Sequence, residues 1–560
     1  MTPAEVAAAL REIAGYVELE GDRFRARAYE RAARSIGAVA DLDRLVAGRR
    51  LTELPGVGRS LAGVVEQLAA HGRIDLLERL RARWPRVVLE LAALPDVGPE
   101  RARRLHEALA PASLDEVAAL CEAGRVRRLP GFGKVSEARV RDAILTRHER
   151  AILLTLEDAL LASAELAVIA RAAPGVLAVE VCGPVRRWME VADRIALAVA
   201  TEDPGALLDR ARAHPGIVAL DAGEEGVLRG RLASGAPCEL HVAPRERFGV
   251  ALALATGSSE HLAALRAHAR ARGTELERIV APDESALHAA LGLPFLPPEV
   301  RDGTDEIAAA LAGDRFADLV TLADLTGAVH CHTSYSDGRH SVAEMADAAD
   351  ARGLGFLTVT DHSQSAGYAG GLTLERLREQ WREISDAQRG TPVRLLRGTE
   401  SDILADGRLD YPDDVLARMD VVIASVHKRH RLDADAMTRR VVTALRQPLF
   451  KIWGHALGRI VLHREPIEVH FDEVLDAIAE SHVAIEINGD PRRLDLDPAR
   501  ARLARSRGAR FVLAADAHSA GQLTYLEYAV GIARRARIRR HEVLNTLPPD
   551  DFARVVRPSP

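Results

Sequence analysis

Hydrophobic and polar positions change rhythm twice along the chain. Through the first 150 residues apolar side chains recur at helical spacing, as in AYERAARSIGA and LAGVVEQLAAHG, and short turns separate the runs. Helices joined by tight connections are predicted there. From about 150 to 250 the pattern becomes mixed, with strand-like runs such as LAVEVCG and RIALAVAT. LHVAPRERFGVALALATGSSEHLAAL leads into another helical region, and FLPPEVRDGTDEI, rich in Pro and charge, marks the approach to a boundary. DRFADLVTLADLTG, ending at Gly327, links onward. Beyond it, short apolar runs alternate with helical stretches, and each run ends in a side chain able to ligate a metal. VHCHT ends at His330 and His332, TVTDHS at Asp361 and His362, LLRGTES at Glu400, and VVIASVH at His427. FKIWGHA delivers His455, VAIEING Glu486 and Asn488, and FVLAADAHS Asp516 and His518. Strands separated by helices, with ligand-type residues at their C-terminal ends, predict a β/α barrel with a metal site at its mouth.

The turns of the N-terminal region form a repeat. LPGVG (Leu54 to Gly58), LPDVG (Leu94 to Gly98) and LPGFG (Leu129 to Gly133) each open a helical pair, at intervals of about 35–40 residues. Glycines let such a turn come close to a phosphate, and the following helix offers free N–H groups and a positive dipole end. One Pro-Gly turn has structural explanations enough. Three in register read as helix–hairpin–helix elements that grip a nucleic-acid backbone without reading its sequence, with Gly56, Gly58, Gly98, Gly131 and Gly133 as contact positions. Asp96 stands where a glycine is usual, so the second turn is expected to grip poorly.

Composition adjusts this picture modestly. A chain of 560 residues, 48% apolar, has room for three or four domains. Its net charge is −6, yet residues 1–150 hold 26 Arg and Lys against 22 Asp and Glu, a local excess of +4 that suits a polyanion. The cysteines (Cys121, Cys182, Cys238, Cys331) lack paired spacing, as in a reducing cytosol. No run approaches the roughly 18 apolar residues of a membrane span. MTPAEVAAALREIAGY reads as an amphipathic helix without the regions of a secretory signal, so a cytoplasmic protein is expected. Basic residues are almost all arginine, the lysines being Lys134, Lys428 and Lys451.

With FRARAYERAARSI, the three turns, VCGPVRR, ATGSSEH, LPFLPPEVRD, SDILADGRLDYPDDVL, ARRARIRRHEVLNTLP and the barrel motifs in place, the chain resembles the bacterial family X DNA polymerases that carry a C-terminal PHP (polymerase and histidinol phosphatase) domain. The resemblance spans nearly the whole length. It implies a multidomain α and α/β fold: a helix–hairpin–helix DNA-binding domain (1–82), a fingers-like helix–hairpin–helix domain (83–150), an α+β nucleotidyltransferase palm (151–250), a thumb-like domain (251–318) and a PHP domain (325–560) built as a distorted (β/α)7 barrel.

Two active sites come with that family. Nucleotidyl transfer needs divalent metals held by an Asp-x-Asp pair and a third Asp. Aligning the family's Gly-Ser-x-Arg-Arg turn on Gly183 to Arg187 puts Arg194 and Ala196 at the pair and Glu239 at the third position. Asp193 lies one residue early and, by strand alternation, faces the other way. The triphosphate-binding serine is Pro184, the aromatic pair is Leu254 and Ala255, and the following asparagine is Leu262. Arg187, Thr256, Gly257 and Ser258 persist and are read as architecture. Loss of polymerase activity is expected. The Schiff-base lyase of some relatives needs a lysine; its position is Val64, and residues 1–133 contain none.

The second site is complete. The resemblance implies nine ligands for up to three divalent metals: His330, His332, Asp337, His362, Glu400, His427, His455, Asp516 and His518, with Glu400 as bridging carboxylate. Mixed imidazole and carboxylate ligation favours Mn²⁺, with Zn²⁺ and Fe²⁺ as alternatives. Arg459, Lys428 and Arg493 are candidates for steadying phosphate, while His340, His430, His463, His470 and His482 fit no ligand motif. The implied function is a metal-dependent phosphoesterase in DNA repair, bound to the backbone of gapped, nicked or 3′-recessed DNA and associated with the bacterial nucleoid. Its reaction would be 3′→5′ exonuclease, with 3′-phosphatase, 3′-phosphodiesterase or abasic endonuclease activity as variants. Three alternatives stand beside it. They are an active gap-filling polymerase whose metal site is rebuilt from Glu239, Glu190 and Asp193, a histidinol-phosphatase-like enzyme for small molecules, and a non-catalytic scaffold.

Overall fold

The computed structural model describes residues 3–37, 42–54, 56–92, 94, 97–145, 153–214, 216–223, 226–232 and 235–558. They fall into two compact units: Met1–Leu154 with Asp158–Val181 and Asp193–Arg245, and Thr155–Glu157 with Cys182–Ala192 and Glu246–Pro560. Among the described residues no helix is long and apolar enough to cross a membrane. All four cysteines are buried and none forms a disulfide.

In the first unit, helix Pro3–Leu19 buries Val6, Leu10, Ile13 and Val17, the stripe its spacing predicts. One apolar cluster then runs from Val6 to Ile144 through all the N-terminal helices. The three turns share a hydrogen bond, from Val57 N to Leu54 O (3.1 Å), Val97 N to Leu94 O (3.2 Å) and Phe132 N to Leu129 O (3.0 Å). Each points its apolar residues into the cluster. In the first and third turns the middle glycine takes the left-handed conformation (Gly56 φ 78°, Gly131 φ 83°). In the second it is Gly98 (φ 64°) that does so; Asp96 lies outside the described residues. The repeat is therefore one of hydrogen bonding and burial, with a changed backbone in its middle copy.

The same unit holds a five-stranded sheet: β1 (Val176–Val181), β2 (Ile195–Thr201), β3 (Ile217–Ala222), β4 (Val227–Leu232) and β5 (Pro237–Ala243), ordered β1-β2-β5-β4-β3. β2 and β5 are parallel, and every residue of β2 is buried, which explains an apolar run without alternation.

In the second unit a helical region packs around Val250, Leu265, Leu287 and Leu319. The barrel follows: β6 (Gly327–Cys331), β7 (Phe356–Val359), β8 (Arg394–Asp402), β9 (Val421–Ser425), β10 (Ile452–Trp453), β11 (Ala484–Asn488) and β12 (Phe511–Ala517). All seven are parallel, run round in chain order and close where β12 meets β6. Val329, Phe356, Leu396, Ile423, Ile452 and Val512 fill the interior, and Leu544, Phe552 and Val556 cover the end away from the ligand residues. Phe552 stacks on Phe356 with ring centres 4.4 Å apart. The segment Cys182–Ala192, placed by sequence in the palm, packs within this unit. Trp188 lies so close to Gly531 that a β-carbon there would overlap its ring.

The closing seam is irregular, since the register between β12 and β6 shifts between Ala514 and Ala517. Asn545, fully buried, bridges it: its amide donates to Leu513 O (2.8 Å) and Gly327 O (3.2 Å) and its oxygen accepts from Leu513 N (3.0 Å). Replacing Asn545 by Ala removes three bonds from buried main chain, a loss of about 3 kcal/mol. Calorimetry should show the barrel transition at lower temperature, with that of the N-terminal unit unmoved.

Candidate metal centre

The strand-end residues converge. Glu400, buried near the end of β8, lies at the middle of the cluster. Its Oε2 is 2.9 Å from His362 Nδ1, 3.4 Å from His330 Nε2 and 3.8 Å from His332 Nε2. Its Oε1 is 2.7 Å from His455 Nε2 and 3.2 Å from His427 Nε2. Asp516 Oδ1 sits 3.4 Å from His332 Nε2 and 3.7 Å from both His330 Nε2 and His518 Nδ1. Asp337 reaches His362 Nε2 (3.6 Å) and His518 Nε2 (3.4 Å). Among the described residues the donor atoms form three overlapping groups: His332, Asp337, His362 and His518; His330, His332 and Asp516; and His362, Glu400 and His427. His455 joins through Glu400. His340, His430, His463, His470 and His482 stand in none of these groups.

These groups fit divalent cations by a test internal to the protein. His330 Nε2, both ring nitrogens of His332, His362 Nδ1 and both oxygens of Glu400 are buried without a hydrogen-bond partner. Polar atoms so placed are costly unless something polar lies between them. Charge follows the same logic. Burial alone would raise the Glu400 pKa, but His427, His330, His362 and His455 hold it well below the usual carboxylate range. Burial would lower His427, yet Glu400 and Asp402 push it up to about 9. His518 is raised to about 9 against its burial by Asp337 and Asp516. His332, buried among other imidazoles, falls to about 3.

Local backbone aims the ligands. His330 (φ 62°), His455 (φ 24°) and Asp516 (φ 48°) all adopt the left-handed region, which costs of order 1–3 kcal/mol each for such residues. The register of β6 with β7 shifts at the same place, where the Thr358 and Thr360 hydroxyls accept the His330 and Cys331 N–H groups (2.9 Å each). A second layer fixes the rings. Glu486 binds His330 Nδ1 (2.6 Å) and accepts from His455 N (3.0 Å) and Asn488 Nδ2 (2.7 Å). Asp402 holds His427 Nδ1 at 2.7 Å. Asp361 accepts from Thr333 N (2.8 Å), Thr333 Oγ1 (2.6 Å) and Gln380 Nε2 (2.5 Å), and also from Ser336, pinning the loop that presents Asp337. Asp361, Glu486 and Asn488, which the strand-end pattern groups with the ligands, thus stand behind them. Asp402 carries a signal that sequence reasoning missed: it lies two residues beyond Glu400, on the same face of the strand.

The expected phosphate-binding cations separate. Arg493 Nε is 3.3 Å from Asp516 Oδ2, and its Nη1 is buried without a hydrogen-bond partner. Arg459, also expected to steady phosphate, donates to Arg493 O (2.9 Å), to Leu494 O and to Glu190 (3.3 Å). Lys428 is exposed and donates to Ser365 O at 3.2 Å.

At the polymerase positions, Ala196 pairs in register with Glu239. Glu239 accepts from Arg194 and Arg229 at 3.0 Å each. Its bond to His241, opposed by burial and joined by Arg229 and Arg194, holds its carboxyl down to about 2. Asp193 is paired with Arg194 (3.0 Å), and Glu190 with Arg535 (2.5 Å) and Arg459. The three carboxylates offered for a rebuilt polymerase metal site are each already held by arginine. Arg187 donates to Thr256 O (2.5 Å), and Ser258 caps helix Ser259–Ala271 by accepting from His261 N (3.0 Å). Both contacts hold neighbouring segments together.

Comparison with known proteins agrees with this layout. Family models match residues 1–74 (helix–hairpin–helix domain), 88–144 (SAM-like helix–hairpin–helix tandem) and 328–490 (PHP domain). The DNA polymerase/3′-5′ exonuclease PolX of Bacillus subtilis is 29% identical over 559 residues, 96% of each chain. A probable phosphatase of Caldanaerobacter subterraneus is 29% identical over 234 residues, covering 39% of this chain and 85% of its own. Another, from a Thermoanaerobacter species, is 28% identical over 235 residues, covering 39% of this chain and 89% of its own. With helix–hairpin–helix matches ahead of a barrel whose mouth gathers nine ligand-type side chains, the chain is similar along its whole length to a PolX protein and matches the PHP domain model over residues 328–490.

Proposed function

We propose that this protein is a DNA-binding, metal-dependent phosphoesterase that acts at DNA 3′ ends, a 3′→5′ exonuclease of cytoplasmic DNA repair, and that it has lost template-directed synthesis. The carrying observation is the set of buried, unbonded donor atoms around Glu400. Three groups of side chains would hold the cations, and their imidazole-rich chemistry suits Mn²⁺ first, then Zn²⁺ or Fe²⁺. Such cations supply an ionised water near neutral pH and positive charge for phosphate oxygens. The chain's own residues do the positioning. Glu486 and Asp402 fix the ring orientation of His330 and His427. Arg493, next to Asp516, presents a guanidinium where a phosphate would approach.

DNA binding is supported by glycines that the fold itself does not require. Gly58 (φ −79°) and Gly133 need no left-handed backbone, and a β-carbon at either would meet nothing within 4 Å. Bare backbone facing open space ahead of helices Arg59–His71 and Lys134–Leu145 is what a phosphate backbone could approach. Loss of synthesis is supported by Glu239, whose charge two arginines already occupy.

A labelled gapped primer–template with Mn²⁺, with and without dNTPs, tests both halves. Shortening is expected in both tubes and extension in neither. Robust extension would refute the loss of synthesis, and faster turnover of histidinol phosphate than of a 3′-recessed duplex would refute the DNA assignment. Glu400→Ala and His332→Ala should abolish shortening while DNA affinity stays unchanged.

Metal uptake should tighten from pH 6 to 9. The metal-free His427 and His518 keep protons to about 9, so cations must displace them. Calorimetry in buffers of differing ionisation heat should register proton release, and Glu486→Ala should weaken metal binding about 10–100-fold. Gly58→Val with Gly133→Val should leave the melting temperature in place. DNA affinity should fall at least about tenfold and the salt slope should become shallower, read by fluorescence anisotropy.

A further inference from the structure

A rigid loop carries one aromatic ring to the mouth of the metal centre. Between β7 and helix Leu374–Ala387, Leu372 N donates to His362 O (2.9 Å) and Ala366 N to Ser363 O (3.0 Å). Ser365 is tied by its hydroxyl to Asp402 and by its N–H to Asp410, at 2.7 Å each. Ala366, Ala369 and Leu372 are buried, so the loop is anchored on both sides of its tip. Tyr368, at that tip, is 66% exposed. Its ring centre lies 6.3 Å from that of His362 and 6.1 Å from that of His427. Holding a large ring in water beside two ligand-type histidines contributes little to folding.

We propose that Tyr368 seats the terminal nucleotide of a polynucleotide, its phenol ring stacking on the base. This rests on the reading of the barrel as a phosphoesterase for DNA ends. Stacking tolerates any base, because every base offers a π-face, so the seat distinguishes a polynucleotide end from a small phosphomonoester without imposing sequence preference. It also explains the loop's anchoring: a platform must not yield when the base settles on it.

The test is steady-state digestion by the full metal-loaded protein of two 3′-recessed duplexes, one ending in a normal nucleotide and one in a reduced abasic residue. Tyr368→Ala should raise KM on the normal end roughly tenfold. Tyr368→Phe should retain the wild-type value, and both variants should match wild type on the abasic end. Equal loss by Tyr368→Ala on both ends, or a Phe variant as poor as the Ala variant, would overturn the seat. No change in any variant while wild type digests DNA would overturn it too. Wild type that digests neither duplex would instead refute the phosphoesterase reading, which keeps the two failures apart.

Discussion

A carboxylate buried among five imidazoles is the constraint on which the barrel depends. Glu400 has nitrogen atoms of His330, His332, His362, His427 and His455 within 4 Å, and neither of its oxygens has a hydrogen-bond partner. Such a group is tolerable in a protein interior only if opposite charge is held against it from several directions. The surrounding structure supplies those directions. Left-handed backbone at His330, His455 and Asp516 turns their side chains inward, and threonine hydroxyls take over the N–H groups that the distorted ladder releases. Glu486, Asp402 and Asp361 form an outer ring of carboxylates that fixes rings and loop alike. The apolar end of the barrel, sealed by Phe552 and bridged by Asn545, gives the strained end something stiff to be strained against.

The positions aligned with the polymerase site show the opposite arrangement, with arginines standing against the carboxylates. Arg194 and Arg229 satisfy Glu239, and Arg535 satisfies Glu190. Arg187 and Arg186 brace Thr256, and Arg186 with Arg301 encloses the buried Glu284, whose carboxyl they hold down to about 2 against its burial.

How much of this could be read from the chain depended on whether a residue's reason was local. The strand ends were legible, because parallel strands buried on both faces give apolar runs and the ligand residue stands at the end of each. The hairpin turns were legible from their repeat, though not the shift of the left-handed residue to Gly98 in the second one. Division of labour within the cluster was not legible. Asp361, Glu486 and Asn488 stand at strand ends like the ligands, and only three-dimensional placement separates ring-holders from ring-bearers. The contacts of Arg459 were not legible for a related reason: a long side chain near a ligand motif can turn either way, and here Glu190 and two carbonyls accept from it. Asn545 gave no hint of its bridging position, since its partners are 32 and 218 residues away.

Gly58 and Gly133 carry a consequence for anyone improving this molecule. Neither needs glycine for its backbone, and added side-chain atoms would fit without a clash. Stability-guided redesign, which scores only what the folded chain does to itself, would therefore treat both as free positions and fill them to stiffen the unfolded state. Under the DNA-binding role proposed for them, the product would be no less stable than its parent yet hold DNA less well, because the requirement at these positions would come from a partner that such scoring never sees.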